Sequence, residues 1–149
     1  MEWSVSEQHA EPLRLAALRQ RVTFGSDDLG AIIGAQYEAL YGGLPPNSPT
    51  GKNVIAYVPI GDRSADMLVG FMWAGALPEG LEVVELPGGA AAHTQHVGAY
   101  AGLPAAHQAV HAWLRTQGQH EVGLNWEVYG DWSDDPAQLV TDVYYARLR

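Results

Sequence analysis

The stretch LPEG, residues 77–80, lies near the midpoint of a 149-residue chain, and its turn-forming Pro and Gly separate two halves whose elements come in the same order. Upstream, residues 13–24 read as an extended run with apolar side chains at Leu13, Leu15, Ala17, Val22 and Phe24. Ser26 is placed to cap a helix whose first turn carries Asp27 and Asp28, both favourable at the positive end of the helix dipole. Leu29, Ile32, Ile33, Tyr37, Leu40 and Tyr41 follow at three- and four-residue spacing, and Gly42-Gly43 stops the helix. The loop PPNSPTGKN then leads to two strands, 54–60 and 67–73, joined by the turn-rich GDRSAD. Downstream the pattern repeats. An extended segment, 81–96, is broken by Pro87-Gly88-Gly89; a helix over 104–117 begins at Pro104 and ends before Gly118; strands 124–129 and 139–148 flank WSDDPAQ. The second helix should bury Ala106, Val110, Trp113 and Leu114. Each half offers one helix and three strands, too little to bury a core alone, so the halves should pack together with a pseudo-twofold relation. The chain thus reads as a single α+β domain over 1–149, with repeat halves at about 13–76 and 81–149.

Composition narrows the function. Lys and Arg total 8 against 17 Asp and Glu, a formal net charge of −9, and Lys52 is the only lysine. Such a chain repels phosphate backbones, so direct nucleic-acid binding is not expected. No cysteine is present, which rules out disulfides, thiolate nucleophiles and zinc–thiolate sites. The N-terminus lacks a basic segment followed by an apolar one, and nowhere do eighteen apolar residues run unbroken; a soluble, cytoplasmic protein with no membrane association is expected.

The most informative short segment is NWEVYGDW, residues 125–132. In a strand its side chains alternate, so Asn125, Glu127 and Tyr129 share one face while Trp126 and Val128 share the other. If the first face meets solvent, Glu127 is an ordinary surface acid. If it lines a cavity between the halves, Glu127 is a desolvated carboxylate that needs a positive partner. Arginines such as Arg19, Arg21 and Arg147 are the candidates within the chain, and a cation that stacks on aromatic rings is the candidate outside it. Aromatics recur on elements that could surround such a cavity: Tyr37 and Tyr41, Phe71 and Trp73, Tyr144 and Tyr145. Each alone is more often core than ligand-binding, although a buried tyrosine hydroxyl needs a partner that a pocket can supply. His107 and His111 stand at i and i+4, but HQAVH lacks the Glu of the zinc-protease motif and His93 and His96 fall on opposite strand faces. No metal site is expected, and His107 and His111 read as surface residues. Gly-rich phosphate loops are absent, no cofactor is implied, and no serine is placed for a Ser-His-Asp triad; as a general base, Glu127 is the sensible candidate.

The segments PEGLEVVELPGGAAAHTQHVGAY, HAWLRTQG, NWEVYGDW and TDVYYARL, in this order and spacing, resemble the GyrI-like small-molecule-binding domain, also called the bacterial effector-binding domain of transcription activators. The resemblance spans about 13–149. It implies duplicated β-α-β-β (SHS2-like) units, with a curved antiparallel sheet, two helices on one face and a central cleft. It also implies an amphipathic, often cationic aromatic ligand around a glutamate that matches Glu127, with Tyr129 and Tyr144 at pocket-side positions and Tyr37, Tyr41, Phe71 and Trp73 on elements lining the cleft. His96, Gly98 and Tyr100 match an H-x-G-x-Y signature leading into the helix. In regulators of this family a helix-turn-helix precedes the domain; here about a dozen residues precede the first strand, so a stand-alone form is expected, with any regulator a separate chain. The resemblance covers three functions: a binder that senses or sequesters hydrophobic cationic compounds, as in multidrug binding; a hydrolase of cyclopropane-type electrophiles using Glu127; and an inhibitor whose partner is DNA gyrase.

Overall fold

The computed structural model describes residues 3–148. In chain order the elements are β1 (Ser6–Ala10), β2 (Leu13–Thr23), α1 (Leu29–Gly42), β3 (Asn53–Ile60), β4 (Ser64–Met72), β5 (Glu82–Leu86), β6 (Gly89–Val97), α2 (Leu103–Thr116), β7 (Asn125–Tyr129) and β8 (Val140–Ala146). Eight antiparallel strands form one sheet in the order β1-β6-β8-β7-β3-β4-β2-β5. That order is a palindrome about the β7–β3 seam: β2-α1-β3-β4 and β6-α2-β7-β8 are equivalent units, each extended by a strand that precedes the other. The fold is therefore α+β, with duplicated β-α-β-β units.

The edge strands explain the curl of the sheet. β1 and β2 are one long strand bent at Glu11-Pro12, and β5 and β6 another bent at Pro87-Gly88, where proline removes a ladder donor. The two run antiparallel through their bends, Ala10 opposite Gly89 and Leu13 opposite Leu86. A Cβ on Gly88 would lie 2.8 Å from both Ala10 O and Pro12 Cδ, so only glycine lets the bends meet. The sheet consequently closes on itself as a half-barrel. Its helix-free face wraps a core of Leu15, Val54, Leu68, Leu86, Trp126 and Val128.

Two further cores lie under the helices. α1 packs on β2 and β4 with Leu40 buried, while α2 lies over β6 and β8 through Leu103, Ala106, Val110 and Leu114. The central strands β3 and β7 are left at the seam between the helices. Here the structure departs from the sequence reading, most clearly at β1 and at the start of α1. Residues 6–10, read as tail, form β1, because their ladder partner is remote in sequence and leaves no local signal. The cap of α1 is Asp28, whose side chain accepts from Ala31 N at 3.1 Å, rather than Ser26; Asp27 turns back to accept from Thr23 N at 2.7 Å.

Candidate functional site

At the seam, β7 presents Asn125, Glu127 and Tyr129 to the helix-bearing face, and Trp126 and Val128 to the half-barrel core. Glu127 is only 4% exposed. Its flanking partners in the sheet are Ile55 on β3 and Val143 on β8, both fully buried and apolar, so its carboxylate rises from a hydrocarbon floor. An ionised carboxylate there is stable only if both oxygens are satisfied. Tyr129 donates its hydroxyl to Oε1 at 2.8 Å, and His107 Nε2 meets Oε2 at 2.7 Å. Arg19, Arg21 and Arg147, the cations considered from sequence, are engaged elsewhere: with Glu82 and Asp66, with Asp66, and with Glu7, respectively.

His107 reaches the acid because α2 buries the line Leu103, Ala106, Val110, and position 107 lies one turn beyond Leu103 on the same flank. Its other nitrogen, Nδ1, is 2.5 Å from the Tyr145 hydroxyl, which is also 2.9 Å from His111 Nε2. One continuous chain of hydrogen bonds thus runs from Glu127 through His107 and Tyr145 to His111. The assignment of His107 and His111 to the surface is corrected by this geometry.

Four phenols gather near the acid. Burial pushes the hydroxyls of Tyr57, Tyr129 and Tyr145 far above the ordinary tyrosine range, and the negative charge of Glu127 adds to the rise. Tyr37 is raised likewise, by burial, then by Tyr41 and Glu127. All four remain protonated donors. Tyr37 donates to Gly70 O at 3.0 Å. From Tyr37 an aromatic ladder continues outward: Tyr37 stacks on Tyr41, Tyr41 meets Phe71 edge-on, and Phe71 stacks on Trp73, with centroids 6.1, 5.5 and 5.6 Å apart. On the opposite side Tyr100, in the 3-10 turn before α2, meets Tyr129 edge-on at 5.3 Å.

Of the residues expected to bind a ligand, Tyr37, Tyr41, Phe71 and Trp73 therefore form one aromatic row, and Tyr129 is hydrogen-bonded to Glu127. Tyr144 does not join them. It faces the half-barrel side, stacked on Trp126 at 5.4 Å, while Tyr145 occupies the Glu127 face. Tyr57 and His107, which the sequence reading did not place near the acid, lie beside it, as does Tyr145, which that reading named among the surrounding aromatics. Two hollows of about 420 and 270 Å³ lie elsewhere, one between Gln20 and the α1 residues Ala31, Ile32, Ala35 and Gln36, the other around Tyr41 and Pro45; neither is lined by Glu127. The Glu127 carboxylate is covered by Tyr129 and His107.

His96, read as a structural entry into the helix, is 2% exposed; its Nδ1 accepts from Trp3 Nε1 at 3.1 Å and its Nε2 donates to Ala99 O at 2.8 Å. Among the described residues no group of three or more His, Asp or Glu could hold a metal ion, and no helix is long and apolar enough to cross a membrane.

The chain belongs to the GyrI-like small molecule binding domain family, whose model matches residues 4–146. No curated protein sequence matches it. Among solved structures it is similar to SAV2435 bound to tetraphenylphosphonium, at 17% identity over 97% of this chain and 93% of that one, with a TM-score of 0.69. It is also similar to the EcmrR C-terminal domain, at 15% identity over 97% of both chains and a TM-score of 0.66. In the EcmrR–DNA complex the identity is 17%, the TM-score 0.68, and the match covers 96% of this chain but only 56% of that one, so the present chain spans little more than half the length of that protein.

Proposed function

We propose that this domain senses or sequesters hydrophobic, cationic aromatic small molecules, taken up between α1 and α2 above Glu127. The observation that carries the proposal is the acid itself: a carboxylate 4% exposed, ringed by tyrosines, whose only ion-pair partner among the described residues is a histidine. When that histidine is neutral the site holds an uncompensated negative charge in apolar surroundings, where a cation is attracted strongly. Each ring placed against the cation adds about 0.5–2 kcal/mol. SAV2435, which shares the fold, binds tetraphenylphosphonium, a cation of this kind. The hydrolase alternative draws less support, because both Glu127 oxygens are occupied by Tyr129 and His107 instead of facing a water path.

Tryptophan fluorescence titrated with tetraphenylphosphonium and with tetraphenylborate, its anionic counterpart of equal shape, tests the charge. The wild type should bind the cation and reject the anion, and Glu127→Gln should weaken cation binding by about tenfold, or 1.4 kcal/mol. Equal binding of the two ions by wild type, or equal cation binding by both proteins, would remove the electrostatic basis.

A further inference from the structure

We propose that His107 is a built-in counter-cation for Glu127, so that the proton on His107 and a cationic ligand compete for the same carboxylate and ligand uptake expels a proton. The inference rests on the small-molecule reading of the site given above.

The hydrogen bonds define two states that need no heavy atom to move. In the first, His107 is neutral: Nε2–H donates to Glu127 Oε2, Nδ1 accepts the Tyr145 hydroxyl, and Tyr145 accepts Nε2–H of His111. The site then carries the carboxylate's full charge. In the second, one proton has been added. It binds Nδ1 of His111, while the Nε2 proton of His111 passes to the Tyr145 oxygen and the Tyr145 proton passes to Nδ1 of His107. His107 becomes an imidazolium, His111 is neutral again with its proton on the other nitrogen, and the balance is one proton gained. The Glu127–His107 pair is now neutral overall, and a cation finds no net charge to meet.

Among the described residues, no other group packed around His107 supplies a competing charge. The phenols of Tyr145 on β8, Tyr129 on β7, Tyr57 on β3 and Tyr37 on α1 stay protonated, and His96 on β6 is turned toward Trp3 and Ala99. On α2 itself, burial, then repulsion from His107 and Arg115, disfavours the charged form of His111. The charged form is thus disfavoured at the outer end of the relay, and His107 is the imidazole that stands beside the carboxylate. His107 is also close enough to sense the exchange: its side chain is 18% exposed, against 6% for Glu127, so it lies on the solvent side of the acid.

Tetraphenylphosphonium binding to the full chain should weaken by about tenfold between about pH 8 and about pH 5.5, the interval in which imidazoles gain their proton. In His107→Gln, whose amide can still donate to Glu127, affinity should not change with pH. Calorimetry at about pH 6 in two buffers of different ionisation heat should show proton release on binding for wild type and none for the variant. A pH slope that persists in His107→Gln overturns the proposal. If tetraphenylphosphonium fails to bind either protein, the ligand assignment fails, and the proton relay is judged without ligand by nitrogen-15 NMR of the histidine rings. At about pH 8 His107 should carry its proton on Nε2 in an exchange-protected bond that Glu127→Gln perturbs. A His107 ring whose signals are identical in wild type and Glu127→Gln overturns the coupling independently of any ligand.

Discussion

Glu127, a buried acid on the short strand β7, is the residue on which the proposed ligand chemistry turns. Glu127 was legible as unusual because alternation along NWEVY separates it from Trp126 and Val128, and a carboxylate opposite an apolar pair must face either water or a partner. Which of these it faces depends on Ile55, Val143 and α2, none adjacent in sequence. Tyr144 and Tyr145 show the limit more sharply. One faces the acid and the other the half-barrel core, and the choice turns on whether β8 pairs with β7 in the observed register or one residue away. His107 carried a usable signal: it lies one turn beyond Leu103 on a helix whose stripe was placed correctly at Ala106, Val110 and Leu114, while Trp113, expected to be buried as well, is only half-buried. Thr141, directly across from Tyr129, offers a test at this scale. Its Oγ1 is the one fully buried side-chain polar atom without a hydrogen-bond partner among the described residues. Because an unpaired buried hydroxyl costs about 1 kcal/mol, Thr141→Val should raise Tm by about 3 °C. A fall in Tm by calorimetry would mean the hydroxyl is satisfied in solution.

Between elements, what the chain displays locally and what the fold requires part company at the edges. The helices and the four inner strands announce themselves through period and turn residues, whereas β1 exists only because residues 89–93 offer it a ladder. The β6–β8 pairing carries a pH-dependent link on the half-barrel side, where His93 Nε2 lies 2.8 Å from Asp142 Oδ1 and Gln95 Nε2 at 3.4 Å. The hydrogen bond from His93, ahead of smaller contributions from Gln95 and Lys52 and against the opposing effect of burial, holds the Asp142 carboxyl below its ordinary value of 3.8. In acid the unfolded chain binds this proton before the folded one does, so stability rises with pH across that interval. The contribution of Asp142 is complete above 3.8 and disappears as pH falls through its lower folded value. Urea midpoints of wild type and Asp142→Asn should therefore differ at about pH 6 and converge near about pH 2.5. A difference that stays constant over that range would show that the link does not depend on ionisation.

Taken whole, the molecule is two equivalent units that are closed by two bent strands and meet along β3 and β7, so the acid stands at the centre of the pseudo-symmetric sheet although only one unit supplies it. The element order around LPEG made the duplication legible; the closure was not, because Pro12 and Gly88 meet only after the sheet has curled. The same architecture leaves the two central strands uncovered by either helix's main contacts, and side chains from both units fill the gap: Tyr37 and Tyr57 from one, Tyr129, Tyr145 and His107 from the other. The central claim is that a lipophilic cation displaces part of this filling and sits against Glu127. Crystals grown with tetraphenylarsonium, whose arsenic scatters anomalously, test it most directly. The arsenic peak should appear between α1 and α2, within about 6 Å of the rings of Tyr37 and Tyr129. A peak confined to the hollow beside Tyr41 and Pro45, or to the groove between Gln20 and α1, with the Glu127–His107 pair undisturbed, would contradict the account.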